Sequence, residues 1–195
     1  MWRRIVIGFL VLPVLLAATL WLGWGAVSAP GWAPGLVLAA WIGVLVGVVW
    51  RLLHVASLRQ RLMVLGVLGL LLLGMVLPPD WLQAVQQWVV ERFGRVPRVD
   101  MGGSAPMLAH IGLYAAFAAS LLWARGHRNP VWVLLALAGF AIATELMQLL
   151  VEGRNADPMD VVLNFSGIAA GAVIAAVTAR FARSRLARER RVGPT

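Results

Sequence analysis

Residues 131–151 read VWVLLALAGFAIATELMQLLV, a run in which Glu145 is the one ionisable side chain. A hydrocarbon core about 30 Å thick is crossed by roughly 20 helical residues, and this run has that length. It lacks the apolar–polar alternation of a membrane β-strand, so it predicts a transmembrane helix. Working outward, the segments 5–24, 31–50, 62–77, 104–124 and 161–179 have the same character. The third is short, and is expected to borrow Pro78, Pro79 and the aliphatic stem of Arg61 to complete its crossing. The chain is 61% hydrophobic and 13% charged, too little polar surface to coat a water-soluble domain. The expected fold is therefore an all-α integral membrane bundle of six spans.

Segment 5–24 follows Arg3 and Arg4 and precedes Val27-Ser28-Ala29, which together resemble a secretory signal. Its apolar run exceeds the roughly 7–15 residues of a signal core, so a retained helix is the expectation and cleavage the alternative. The arginines set the orientation. With the N-terminus inside, Arg3, Arg4, Arg51, Arg59, Arg61, Arg125, Arg128 and the six arginines from Arg180 to Arg191 are cytoplasmic. Only Arg92, Arg95, Arg98 and Arg154 are then outside, a clear positive-inside pattern with both termini in the cytoplasm. Tryptophans at 21, 24, 32, 81 and 88 and at 50, 123 and 132 fall near the two boundaries, as an aromatic belt requires.

The net charge of +9 does not indicate nucleic acid, because the arginines sit between hydrophobic runs and in the tail, where they orient the chain and meet anionic lipid. The absence of cysteine excludes disulfides, thiolate metal ligands and a cysteine nucleophile. After the third span, Pro78-Pro79-Asp80 stops one helix and can cap another. Trp81, Val85, Trp88, Val89 and Phe93 then recur at helical spacing opposite Gln83, Gln86, Gln87 and Glu91. This predicts an amphipathic helix on the outer membrane surface, either a lid over a lipid or a plain connector. The expected organisation is thus a three-helix part without motifs (1–80), an extracytoplasmic loop bearing that helix (81–103), a three-helix core (104–180) and a basic tail (181–195).

Chemically pointed residues gather in the second half. The fourth span contains His110, the fifth Glu145 and Gln148, and the sixth opens with Asp160 and Asn164. Ionisable groups at membrane depth are costly and face a bundle interior or a wet cavity. His110 lies six residues into its span and Glu145 six from the end of its own, roughly 9 Å below the outer boundary at 1.5 Å per residue. Asn164 lies four residues past Asp160, at a similar level. The pairs His110/Tyr114 and Glu145/Gln148 each share a helix face. Asp160, Asn164, Gly167 and Gly171 form one stripe, ending in a G-x-x-x-G that predicts close helix packing. Between the fifth and sixth spans, Arg154 can clamp a phosphate or carboxylate, or pair with Asp157 or Asp160.

Glu145-x-x-Gln148, Arg154 and Asp160-x-x-x-Asn164-x-x-Gly167-x-x-x-Gly171, preceded by His110 and Tyr114, resemble the VanZ-like family over about 104–175. Many relatives carry an Asp-Lys pair just before the histidine, where this chain has Pro106-Met107; Asp100 and Arg98 could supply similar charges. The resemblance implies a bacterial inner-membrane protein of the cell envelope. Its namesake is associated with low-level resistance to the lipid-tailed glycopeptide teicoplanin, and relatives accompany envelope polysaccharide genes. It implies no defined reaction.

Two functions follow as expectations. In the first, an outer-leaflet site binds or acts on an amphiphile such as a lipid-linked sugar, a glycolipid or a lipoglycopeptide. Glu145 is then the candidate general acid or base, His110 a proton shuttle and Asp160 a charge stabiliser, while Tyr114, Gln148, Arg154, Asp157 and Asn164 are candidate substrate-binding residues. In the second, the same polar groups only lock helices together in a scaffold for envelope-biosynthesis proteins. His110, Glu145 and Asp160 are residue types of a zinc site, but no H-E-x-x-H spacing accompanies them, so the sequence assigns no metal or cofactor.

Overall fold

The computed structural model describes residues 32–76, 81, 84, 88, 91–92, 104–126, 129–151 and 157–192. Among them are five helices: α1 (Ala33–Leu52), α2 (Leu58–Val76), α3 (Ser104–Ala124), α4 (Pro130–Gln148) and α5 (Pro158–Val192). All five are long and apolar enough to cross a membrane. The expected first span, 5–24, lies outside the described residues. Trp81, Ala84, Trp88, Glu91 and Arg92 have helical backbone and exposed side chains, at positions that share one helical face. The rest of 81–93 also lies outside. The last helix is longer than the expected 161–179 and runs through most of the basic tail.

Local chemistry explains where the helices stop and start. Ser57 and Gln60 form a capping box at the start of α2. The Ser57 hydroxyl accepts from the Gln60 amide N–H at 3.4 Å, and Gln60 Oε1 accepts from the Ser57 amide at 2.9 Å. Gly126, at φ +59°, ends α3 in the left-handed conformation that costs glycine least. Asp157 Oδ1 accepts from the Met159 amide at 2.8 Å and Pro158 occupies the first position of α5, a standard N-cap arrangement. At the α1–α2 turn, Arg61 donates to the carbonyls of Ala56 and His54 and lies 5.1 Å from the centre of the Trp50 ring. Arg125 Nη1 donates to the Leu52 carbonyl at 2.7 Å, tying the α1–α2 turn to the α3–α4 turn. The bundle therefore has a turn end, toward which α5 carries Arg180 and Arg183. At the opposite end α3 and α5 begin and α4 finishes.

Packing runs through all five helices in one continuous core. The most extensive contact is between α3 and α5; α2 packs on α3, and α4 on α5. A Cβ on Gly167 would stand 2.5 Å from the Ile111 carbonyl oxygen and 2.9 Å from Tyr114 Cβ. A Cβ on Gly171 would collide with the Ala115 carbonyl oxygen and stand 2.8 Å from Ala118 Cβ. The G-x-x-x-G stripe thus does what its spacing predicts, bringing two backbones together where lipid offers helices no hydrophobic drive to associate. An aromatic layer fixes the middle of the bundle. Trp41 of α1 stacks on Phe140 of α4 at 6.2 Å and 6°, and Phe117 of α3 meets the same ring edge-on at 5.6 Å. Leu36, Leu70, Leu73, Val173 and Ile174 are exposed, an apolar exterior suited to lipid.

Candidate functional site

The tight α3–α5 register determines which polar groups meet. Gly167 lies against Ile111 and Tyr114, so the residue nearly one turn earlier on α5, Asn164, is carried to the residue one turn earlier on α3, His110. His110 Nδ1 and Asn164 Oδ1 are 2.9 Å apart. The other atom of the same amide, Asn164 Nδ2, donates to Glu145 Oε1 of α4 at 3.1 Å. Gln148, three residues on from Glu145, donates to that same oxygen at 3.3 Å. One further turn toward the end of the bundle, Asp160 Oδ2 lies 3.7 Å from His110 Nε2.

The amide of Asn164 fixes the histidine tautomer. Its nitrogen is committed to Glu145, so its oxygen is the acceptor facing His110, and the imidazole proton there sits on Nδ1. In neutral His110 the lone pair is then on Nε2, turned toward Asp160.

Burial grades through the cluster. Asn164 is fully buried and Glu145 and Gln148 nearly so, while the side chains of His110 and Asp160 keep 23% and 29% of their surface exposed. Exposure thus falls from His110 and Asp160 toward Asn164 at the bundle core. Glu145 Oε1 accepts two side-chain hydrogen bonds, whereas Oε2 is buried and accepts none of good geometry, with the Asp157 backbone N–H at the start of α5 the donor near the carboxylate. Such an atom is costly to leave unpaired at this depth. One ligand atom each from His110, Glu145 and Asp160 lie within 4.8 Å of one another.

Five of the eight expected site residues, His110, Glu145, Gln148, Asp160 and Asn164, come together. Tyr114 lies one turn deeper, buried, with its hydroxyl 2.5 Å from Thr144 Oγ1. Thr144 in turn donates to the Ala141 carbonyl at 2.8 Å, so Tyr114 is the donor to Thr144. Asp157 is engaged as the cap of α5 through Oδ1. Arg154, expected as an anion clamp, lies outside the described residues. Thr144 was not singled out from sequence, although a hydroxyl beside Glu145 in an apolar run was a usable signal. A cavity of about 750 Å³ lies at the turn end, lined by Trp123, Leu134, Ala172, Ala176 and Arg183 among others, away from every one of these groups.

A family model described as VanZ/LLP1 matches residues 9–179, and the chain belongs to that family. The match reaches well beyond 104–175 and takes in the N-terminal helices, in which no motif is recognisable by eye. No curated protein matches the chain, and no solved structure does.

Proposed function

From that membership and the geometry above, we propose that the chain is a multi-pass envelope protein of the bacterial cytoplasmic membrane. Its cluster of His110, Glu145, Gln148, Asp160 and Asn164 takes the polar head of an amphiphile in the outer leaflet, such as a lipid-linked sugar, a glycolipid or a lipoglycopeptide of the teicoplanin type. The observation that carries this reading is Glu145 Oε2, a buried acceptor that makes no hydrogen bond of good geometry, next to two partly exposed polar side chains. A sugar hydroxyl or amide reaching past His110 and Asp160 would satisfy it. Both termini inside and the cluster outside is the orientation supported by the collection of Arg51, Arg61, Arg125 and Arg183 toward the turn end.

A second reading has support of its own. The chain His110–Asn164–Glu145–Gln148 joins three helices through hydrogen bonds and would by itself lock them in register as a scaffold. Native mass spectrometry of the detergent-purified protein separates the two, comparing wild type with Glu145→Gln, which keeps an acceptor for Asn164. A discrete glycolipid or isoprenoid-phosphate mass present in wild type and lost in the variant is the expected result. Bulk phospholipid alone in both would sink the amphiphile reading and leave the lock.

A further inference from the structure

We propose that His110, Glu145 and Asp160 bind one divalent transition-metal ion of the zinc type, with Asn164 and Gln148 holding the ligands in place. The first ground is convergence. Three side chains from three different helices bring ligand atoms within 4.8 Å of one another. Donors about 2.0–2.2 Å from one tetrahedral ion stand about 3.4 Å apart, so closing on a metal needs each ligand atom to move by about 1 Å.

The second ground is the protonation pattern that the hydrogen bonds impose. Asn164 Oδ1 draws the His110 proton to Nδ1, which leaves Nε2 as the free ligand nitrogen on the side of Asp160. A histidine whose remote N–H is held by a fixed acceptor is the arrangement that orients a metal-binding imidazole. Glu145 is treated in the same way. Asn164 and Gln148 both donate to Oε1, and Oε2 is left buried outside those bonds, with no hydrogen bond of good geometry of its own. A single amide, Asn164, thus braces two of the three ligands at once.

The third ground is charge. Two carboxylates and an imidazole lone pair at one spot repel each other in a medium of low dielectric, and a cation at their centre removes the repulsion. The donor set also selects the ion. An imidazole nitrogen disfavours magnesium and calcium, and the absence of thiolate disfavours copper(I), which leaves zinc and its divalent neighbours. Three protein ligands leave an open coordination position, the pattern of a working site and not of a purely structural one. Metal binding does not rest on the amphiphile reading, since it can be scored with no lipid present.

The test uses full-length, tag-free protein in detergent, stripped with a chelator, dialysed against zinc chloride and counted for zinc per chain by plasma mass spectrometry. One zinc per chain is expected, with affinity at least 10-fold weaker in Asp160→Asn and in His110→Gln. Loss of the brace in Asn164→Ala should weaken binding about 10–100-fold. Asp160→Asn alters a partly exposed group at the start of a helix, so its thermal melt should match wild type and its zinc loss cannot be put down to unfolding. Cobalt(II) substitution adds a readout of geometry: intense visible bands of a low-coordinate site are expected in wild type and should be altered by Asp160→Asn. Wild type that retains no zinc above buffer would overturn the proposal. Equal zinc in wild type and in every variant would also overturn it, by placing the ion elsewhere.

Discussion

Replacing Gly167 by alanine adds one methyl group, yet it should damage both the bundle and the site. The new Cβ would stand 2.5 Å from the Ile111 carbonyl oxygen and 3.1 Å from Ile111 Cα. These are backbone atoms of α3 and cannot swing aside. Restoring ordinary contact at about 3.4 Å requires α5 to retreat by about 0.9 Å. A gap of that size forfeits a quarter to a half of the dispersion attraction along the facing surfaces. It also acts on the neighbouring turn. A retreat of 0.9 Å along the His110–Asn164 bond would stretch it from 2.9 Å to about 3.8 Å, beyond hydrogen-bonding reach. Overpacking at about 1–3 kcal/mol and a membrane hydrogen bond at about 0.6 kcal/mol together predict a loss of about 1.5–3.5 kcal/mol. The control is Gly112→Ala on α3, an exposed position with no atom within 4 Å of the added Cβ. Helix propensity alone should leave that variant unchanged or up to about 1 kcal/mol more stable. Equilibrium unfolding in mixed micelles, read by tryptophan fluorescence, gives both values. A Gly167→Ala variant within 0.5 kcal/mol of wild type, or an equal loss at Gly112, would refute the claim that the stripe sets the α3–α5 register.

Two smaller perturbations test the supporting contacts. Tyr114→Phe removes the donor to Thr144 while Thr144 keeps its own bond to Ala141, so no buried donor is stranded; the same unfolding assay should show a loss of about 0.5–1 kcal/mol. Ser57→Ala removes the α2 cap and should lower stability by about 1 kcal/mol, with increased amide hydrogen exchange confined to the first turn of that helix.

The common level of the polar cluster was legible before any coordinates. The levels of His110, Glu145 and Asn164 follow from helix rise once the spans are placed, and the contacts His110–Asn164 and Asn164–Glu145 agree with that levelling. The packing role of Gly167 and Gly171 was equally readable, because only small residues permit such an approach. Less legible were the uses of individual atoms. Asp157 stands out by its charge in a short loop, and only the structure shows that its Oδ1 also caps α5. Tyr114 shares a face with His110, yet one turn of depth carries it out of the polar cluster and into a pairing with Thr144.

Sequence by itself determined that this is a multi-pass helical membrane protein, because span length, apolar composition and the lack of alternation are properties of each segment taken alone. It also determined which residue types lie near one level, because helix rise is constant. Only the tertiary structure decided that His110, Glu145 and Asp160 converge, that Asn164 serves two of them at once and that one Glu145 oxygen stays outside the bonds from Asn164 and Gln148. Rotation of each helix about its axis and the choice of neighbours depend on shape contacts between helices, here the two glycines of α5 against α3. No spacing within a single segment encodes them.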